Sequence, residues 1–221
     1  MAIRKVAVIG TGVIGASWAT HFLARGLEVT ASDPDSAAEG RLRALVAQQW
    51  RGASRLGATE GGYEARLHFA ASVREAVKDA QFVQESGPER LEVKRQLFGE
   101  LDEAAAPGVV LASSSSGLLI SEVQTGCKRP ERVLIGHPFN PPHLIPLVEV
   151  VGGKLTSPAA VEAALAFYRS VGKRPIHVRK EVKGHVANRL QAALWREAFG
   201  LVQHGVATVA DIDLAISHGP G

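Results

Sequence analysis

Cysteine is nearly missing from this chain: one thiol, Cys127, stands in 221 residues, which rules out an intrachain disulfide and any multi-cysteine zinc site. That scarcity fits a reducing, cytoplasmic setting. Flanked by Gly126 and Lys128 in a loop-like segment, Cys127 reads as a passive thiol, not a nucleophile. Charge of one sign is also scarce. The 25 lysines and arginines nearly balance 22 acids, leaving +3, and they are dispersed, which argues against a nucleic-acid partner. No stretch has the roughly twenty uninterrupted apolar residues that a membrane span needs. The run Val6 to Ala16 behind Arg4 and Lys5 imitates a secretion signal, but three glycines interrupt it and no cleavage site of small residues follows. Repeats and low-complexity tracts are missing as well.

What remains is a chain that is 46% hydrophobic, enough to bury a sizeable core. Short apolar runs alternate with longer amphipathic ones, the order of a Rossmann-type, doubly wound, mostly parallel α/β sheet. Strands are expected at residues 5–9, 28–32, 67–70, 82–85, 109–113, 132–136, 147–151 and 175–178. Helices are expected at 13–24, 36–56, 73–80, 89–105 and 158–171, the last opened by the capping pair Ser157-Pro158. A long helix at about 184–204 and a short one at 209–217 have no strand partners, so the regime changes near Val182. Residues 1–182 are therefore expected to form a nucleotide-binding Rossmann domain, and 183–221 the beginning of an all-helical domain. Two helices are too few to close a core. They dock on the first domain, lie under a partner subunit, or belong to an incomplete chain.

"VAVIGTGVIGASWA" sets Gly10, Gly12 and Gly15, with Val13 and Ile14 between them, in the G-x-G-x-x-G arrangement after a strand and at the opening of a helix. Glycine there allows a tight turn and close approach of backbone to a pyrophosphate, which the free N–H groups of the helix start attract. The alternative is a glycine turn used only for packing. Asp33, at the end of the next strand, can accept hydrogen bonds from ribose hydroxyls and would repel a 2′-phosphate, so the expected cofactor is NAD and not NADP.

His137 is expected just past a strand, where parallel sheets present ligands. Prolines at 138, 141, 142 and 146 stiffen the segment that follows. Glu149 falls twelve positions later in an apolar strand, where an unpaired carboxylate is costly, so a partner is needed. His137 can supply it, and a carboxylate on one ring nitrogen fixes the tautomer that a general base uses. Two alternatives stay open: Glu149 faces outward, or His137, His143 and Glu149 hold a metal. The run Ser113 to Gly117 offers hydroxyls after another strand, either for loop solubility or as handles on cofactor and substrate.

With these pieces the chain resembles the 3-hydroxyacyl-CoA dehydrogenase superfamily, through "VAVIGTGVIGASWA", "QESGPERLEVKRQLF", "ASSSSGL", "GHPFNPPHLIPLVEVVGG" and "GHVANRLQAALWREAF". Within it, the second and fourth stretches are most similar to the branch that oxidises L-carnitine, ahead of L-gulonate 3-dehydrogenase and lambda-crystallin. The resemblance implies His137 as catalytic base, Glu149 as its orienting carboxylate, and Ser116 and Asn188 at the reacting oxygen. It implies Glu89 and Lys94 beside the nicotinamide, and Asn140 in the H-x-F-N-P segment. The expected reaction is NAD-dependent oxidation of the 3-hydroxyl of carnitine or a related small 3-hydroxy acid. The alternatives are a 3-hydroxyacyl-CoA substrate or a nucleotide-binding protein without turnover. Ser114, Pro138 and Lys183-Gly184-His185 depart from the acyl-CoA pattern. A trimethylammonium group is best met by aromatic faces, for which Phe139, Trp195 and Phe199 are candidates, each with core packing as the ordinary alternative. The family also continues with further helices that form a homodimer, so missing C-terminal sequence is expected beyond Gly221.

Overall fold

The computed structural model describes residues 2–55 and 62–219. Two compact units divide the chain, 1–183 and 184–221. In the first, β1 (Lys5–Ile9), β2 (Glu28–Ser32), β3 (Leu67–Phe69), β4 (Phe82–Glu85), β5 (Val110–Ser113), β6 (Val133–Pro138), β7 (Leu147–Gly152) and β8 (Arg174–Val178) form one sheet. Its order is β3-β2-β1-β4-β5-β6-β7-β8. Every neighbouring pair is parallel except β6 and β7, which run antiparallel with His137 directly opposite Glu149.

Alternate residues of each strand feed two cores, one on either face of the sheet. Val6 and Val8 join Phe82 and Val110 under α1 (Val13–Ala24), α2 (Ala38–Arg55) and α6 (Pro158–Ser170). Ala7, Ile9, Val83 and Leu111 pack under α3 (Val73–Val77), α4 (Leu91–Ala104) and α5 (Ile120–Val123). Stacked rings fill the first layer, with Trp18 on Phe22 at 5.1 Å and Phe82 on Phe167 at 4.1 Å between centroids.

Tyr168 and Gln84, both buried in this layer, are tied to each other. The Tyr168 hydroxyl donates to Gln84 Oε1 at 2.6 Å, and Gln84 Nε2 donates to Ser114 Oγ and to the Gly136 carbonyl. Full burial pushes the pKa of Tyr168 well above its ordinary value, keeping the phenol a neutral donor. Gly136 has to be glycine, because a Cβ there would sit 1.8 Å from that hydroxyl.

Some elements differ from the sequence expectation. β6 continues two residues beyond 136, so His137 lies inside a strand and not just past one; pairing with β7 carries the ladder on to Pro138. The helix expected from Ser36 begins at Ala38, after a turn in which Asp35 Oδ1 accepts the Ala37 amide, and the proposed end at Leu56 lies outside the described residues. α4 begins at Leu91 and not at Glu89, whose side chain is drawn to the serine segment. α3 stops at Val77, and α5 was not anticipated, being too short to show a period. Cys127 is half-buried, and burial followed by the charge of Asp102 pushes its pKa to about 12, so it is a thiol and not a thiolate.

In the second unit, α7 (Ala187–Gln203) and α8 (Val209–His218) bury none of their residues. Thr208 and Asp211 form a capping box that starts α8. Among the described residues no helix is long and apolar enough to cross a membrane.

Candidate active site

Strand order reverses between β1 and β4, and the sheet opens a crevice where their carboxyl ends diverge. A cavity of about 680 Å³ occupies it. Ile9, Gly10 and Gly12 line it after β1, Ser32, Asp33 and Pro34 after β2, Ala71 to Val73 after β3, and Ser86 to Pro88 after β4. Val93, Gln96, Leu97 and Glu100 of α4 close one side.

The glycines divide the work. Gly10, at φ +85°, would carry a Cβ 2.7 Å from the backbone of Ser86 and Gly87, and a Cβ on Gly15 would lie 1.9 Å from the Gly10 carbonyl. Both are therefore fixed by the protein's own backbone, Gly10 by the segment after β4 and Gly15 by the turn itself. Gly12 is different, because a Cβ there meets nothing within 4 Å. Its bareness has no cause inside the protein, and it keeps clear the space at the start of α1 that a pyrophosphate needs. Asp33 is held in place, accepting the Thr11 amide at 2.8 Å and hydroxyl at 3.1 Å on Oδ2 and the Asp35 amide on Oδ1. The residues thus fit an NAD, with Gly10, Gly12 and Asp33 around the cavity. Val13, Ile14, Gly15, Glu89 and Lys94 are not among its lining residues. The linings after β3 and β4 were missed by sequence reasoning, although their position after parallel strands was the available signal.

Beyond the crevice, the serine run is sorted by side. Ser113 donates to Glu85 at 2.6 Å, Ser114 takes the Gln84 amide at 2.9 Å, and Ser115 donates to Glu89 at 2.6 Å. Ser116 is exposed, and its amide joins that of Gly117 on Glu89 Oε1. Half-burial raises the Glu89 pKa, but hydrogen bonds from the Ser115 hydroxyl and the Gly117 amide, the Lys94 charge and the Ser116 amide together bring it below the ordinary value. Lys94 is buried and clasps Glu85 at 2.7 and 2.9 Å, with Glu89 at 3.8 Å.

On the next two strands, β6 and β7, the His137 ring nitrogen Nδ1 lies 2.9 Å from Glu149 Oε2. Antiparallel register causes this, since directly opposed residues share a face. Glu149 is fully buried and does not face outward. Donation from Nδ1–H to that carboxylate corresponds to the tautomer in which Nε2 is the ring's acceptor nitrogen. Phe139 meets the His137 ring edge-on at 5.2 Å, and Asn140 next to it is exposed. His143 does not join the pair; its Nδ1 lies 2.7 Å from Ser17 Oγ. Among the described residues no three histidine, cysteine or carboxylate side chains cluster closely enough to hold a metal ion. Asn188 is in the first turn of α7, in the second unit. Trp195 and Phe199, 55% and 72% exposed, line a shallow cavity between α7 and α8.

The sequence matches the family model described as 3-hydroxyacyl-CoA dehydrogenase, NAD binding domain, over residues 5–182, and the corresponding C-terminal domain over 184–221. An L-carnitine dehydrogenase of Streptomyces griseus is 55% identical over 99% of this chain and 65% of its own length. One from Pseudomonas aeruginosa is 52% identical over 99% of this chain and 68% of its own. The chain thus spans about two thirds of the length of these relatives. Among solved structures, (S)-3-hydroxybutyryl-CoA dehydrogenase from Ralstonia eutropha superposes with a TM-score of 0.87 at 29% identity, covering 97% of this chain and 77% of that one. An NAD+-dependent dismutase, 5-formyl-3-hydroxy-2-methylpyridine 4-carboxylic acid 5-dehydrogenase, gives 0.88 at 34%, covering 97% and 70%.

Proposed function

The chain belongs to the 3-hydroxyacyl-CoA dehydrogenase family, and from that membership we propose that it takes part in the NAD-dependent oxidation of the 3-hydroxyl of L-carnitine to 3-dehydrocarnitine. The observation that carries the chemistry is the 2.9 Å contact between His137 and Glu149 on facing strands. NAD, when bound, supplies the acceptor for the hydride leaving C3. His137 Nε2 removes the hydroxyl proton as the carbonyl forms, and Glu149 stabilises the resulting imidazolium through Nδ1. The Ser116 hydroxyl holds the reacting oxygen, while Glu89 and Lys94 shape the floor beside the nicotinamide. Phe139, Trp195 and Phe199 offer the aromatic faces a trimethylammonium group prefers. The same reading takes the molecule to be a cytoplasmic homodimer.

Relatives more than 50% identical that are named for carnitine support this substrate over an acyl-CoA. Formation of NADH, followed by its absorbance with L-carnitine, L-gulonate and 3-hydroxybutyryl-CoA in parallel, tests it. Turnover confined to carnitine is expected. Saturable turnover of the acyl-CoA alone would overturn the substrate and leave the proton-transfer pair standing.

A further inference from the structure

The eight residues from Phe139 to Pro146 connect β6 to β7, and so join His137 to Glu149. They are fastened at two places. From α1, Ser17 Oγ accepts the His143 amide at 2.9 Å and also contacts its ring. The second fastening is a lysine: Lys173, just before β8, is 4% exposed, and its Nζ donates to the carbonyls of Pro142 and Ile145, the latter at 2.9 Å. The Trp18 ring lies beneath it, 5.1 Å from Nζ to the centroid.

A connection with three prolines has few N–H groups of its own, so donors for its inward carbonyls must come from elsewhere. None of the ion pairs among the described residues involves Lys173. The titratable groups around it are Arg25, His21 and His143, none of them a counter-ion. A buried ammonium without a carboxylate is costly, and burial followed by Arg25 lowers its pKa to about 7. Methionine would fill the same slot without that cost. What lysine adds is its donors, and the neutral amine still has two N–H bonds, one for each carbonyl.

We infer that Lys173 is a positioning residue, whose Nζ clamps the Pro142 and Ile145 carbonyls and thereby holds the connection that places Phe139 against the His137 ring. The inference rests on reading His137 as the base, but its first test needs no substrate. The amides of His143, Leu144 and Ile145 bond to Ser17 Oγ and, for the last two, the Pro141 carbonyl, so their hydrogen exchange reports the order of the connection. In Lys173→Met these three amides should exchange about tenfold faster or more, while Val148 and Val150 of β7 stay protected. Turnover of the accepted substrate should fall with NAD affinity unchanged. Unchanged exchange, equal loosening throughout β6 and β7, or a loosened connection with full turnover would each overturn the role. If the variant does not fold, the unmodified protein decides. A clamped Nζ gives slowly exchanging protons with nuclear Overhauser contacts to the Trp18 ring, and their absence refutes the clamp. A failed carnitine assay leaves the exchange result untouched, so the two ideas fall separately.

Discussion

His21 and His137 carry the same side chain to opposite ends. His21 is buried with Nε2 2.9 Å from the Val171 carbonyl, and burial, reinforced by the Lys173 charge, lowers its pKa to about 3. In the unfolded chain an imidazole titrates near 6.5, so between about 3 and 6.5 the unfolded state binds a proton that the folded state does not. Stability from this residue is therefore fully present above about 6.5 and is lost as pH falls through that window. Urea unfolding at pH 7 and pH 4 should show the native chain losing more than His21→Gln, by an excess on the order of a few kcal/mol. His137, paired with Glu149, answers to kinetics: His137→Ala should lower turnover by roughly two to four powers of ten while NAD titration is unchanged, and full turnover would remove it as base. The pair could be read from sequence because a carboxylate among Leu147, Val148, Val150 and Val151 demands a nearby partner. Lys173, Tyr168 and Gln84 could not. Their partners lie 28 to 84 positions away, and nothing local marks which distant carbonyl or amide a buried polar group will meet.

Between elements, the tightest constraint is where β6 passes α6. Gly136→Ala would drive a methyl into the Tyr168 hydroxyl and ring, at 1.8 and 2.8 Å, and break the phenol's bond to Gln84 on β4. Overpacking of this kind costs about 1 to 3 kcal/mol. Because the next residue is His137, turnover should fall as well. Adding Tyr168→Phe should recover part of the stability, and strictly additive losses in the double-mutant cycle would show that hydroxyl and methyl do not compete. Strand positions were legible to within two residues, since runs such as Val6–Ile9 are apolar for their whole length and end in turn residues. The reversal of β7 was not, because periodicity carries no sense of travel. The short proline-rich link after β6 was the signal available, being too brief for the crossover that a parallel neighbour needs. The start of α4 was missed for a different reason: Glu89 fits a helix by propensity but is claimed by Ser115, Ser116 and Gly117.

For the molecule as a whole, every residue lining the 680 Å³ crevice lies within 1–183, the first compact unit. A chain ending at Lys183 should therefore bind NAD with an affinity of the same order as the full sequence, measured by calorimetry. Loss of binding would place part of the nucleotide site on the helical unit. Carnitine turnover by that shortened chain should vanish if Asn188 holds the substrate oxygen. The antiparallel return of β7 beside β6 also bears on the order in which the site is built. Gly10 and Ser86 become neighbours only after strands far apart in the chain have paired, whereas the strands of His137 and Glu149 are joined by a link of eight residues. Closing so short a loop costs little chain entropy, so the His137–Glu149 pair can form as a local hairpin. During folding, the Glu149 carboxylate, which the core must swallow, has its imidazole alongside before the rest of the sheet closes over it.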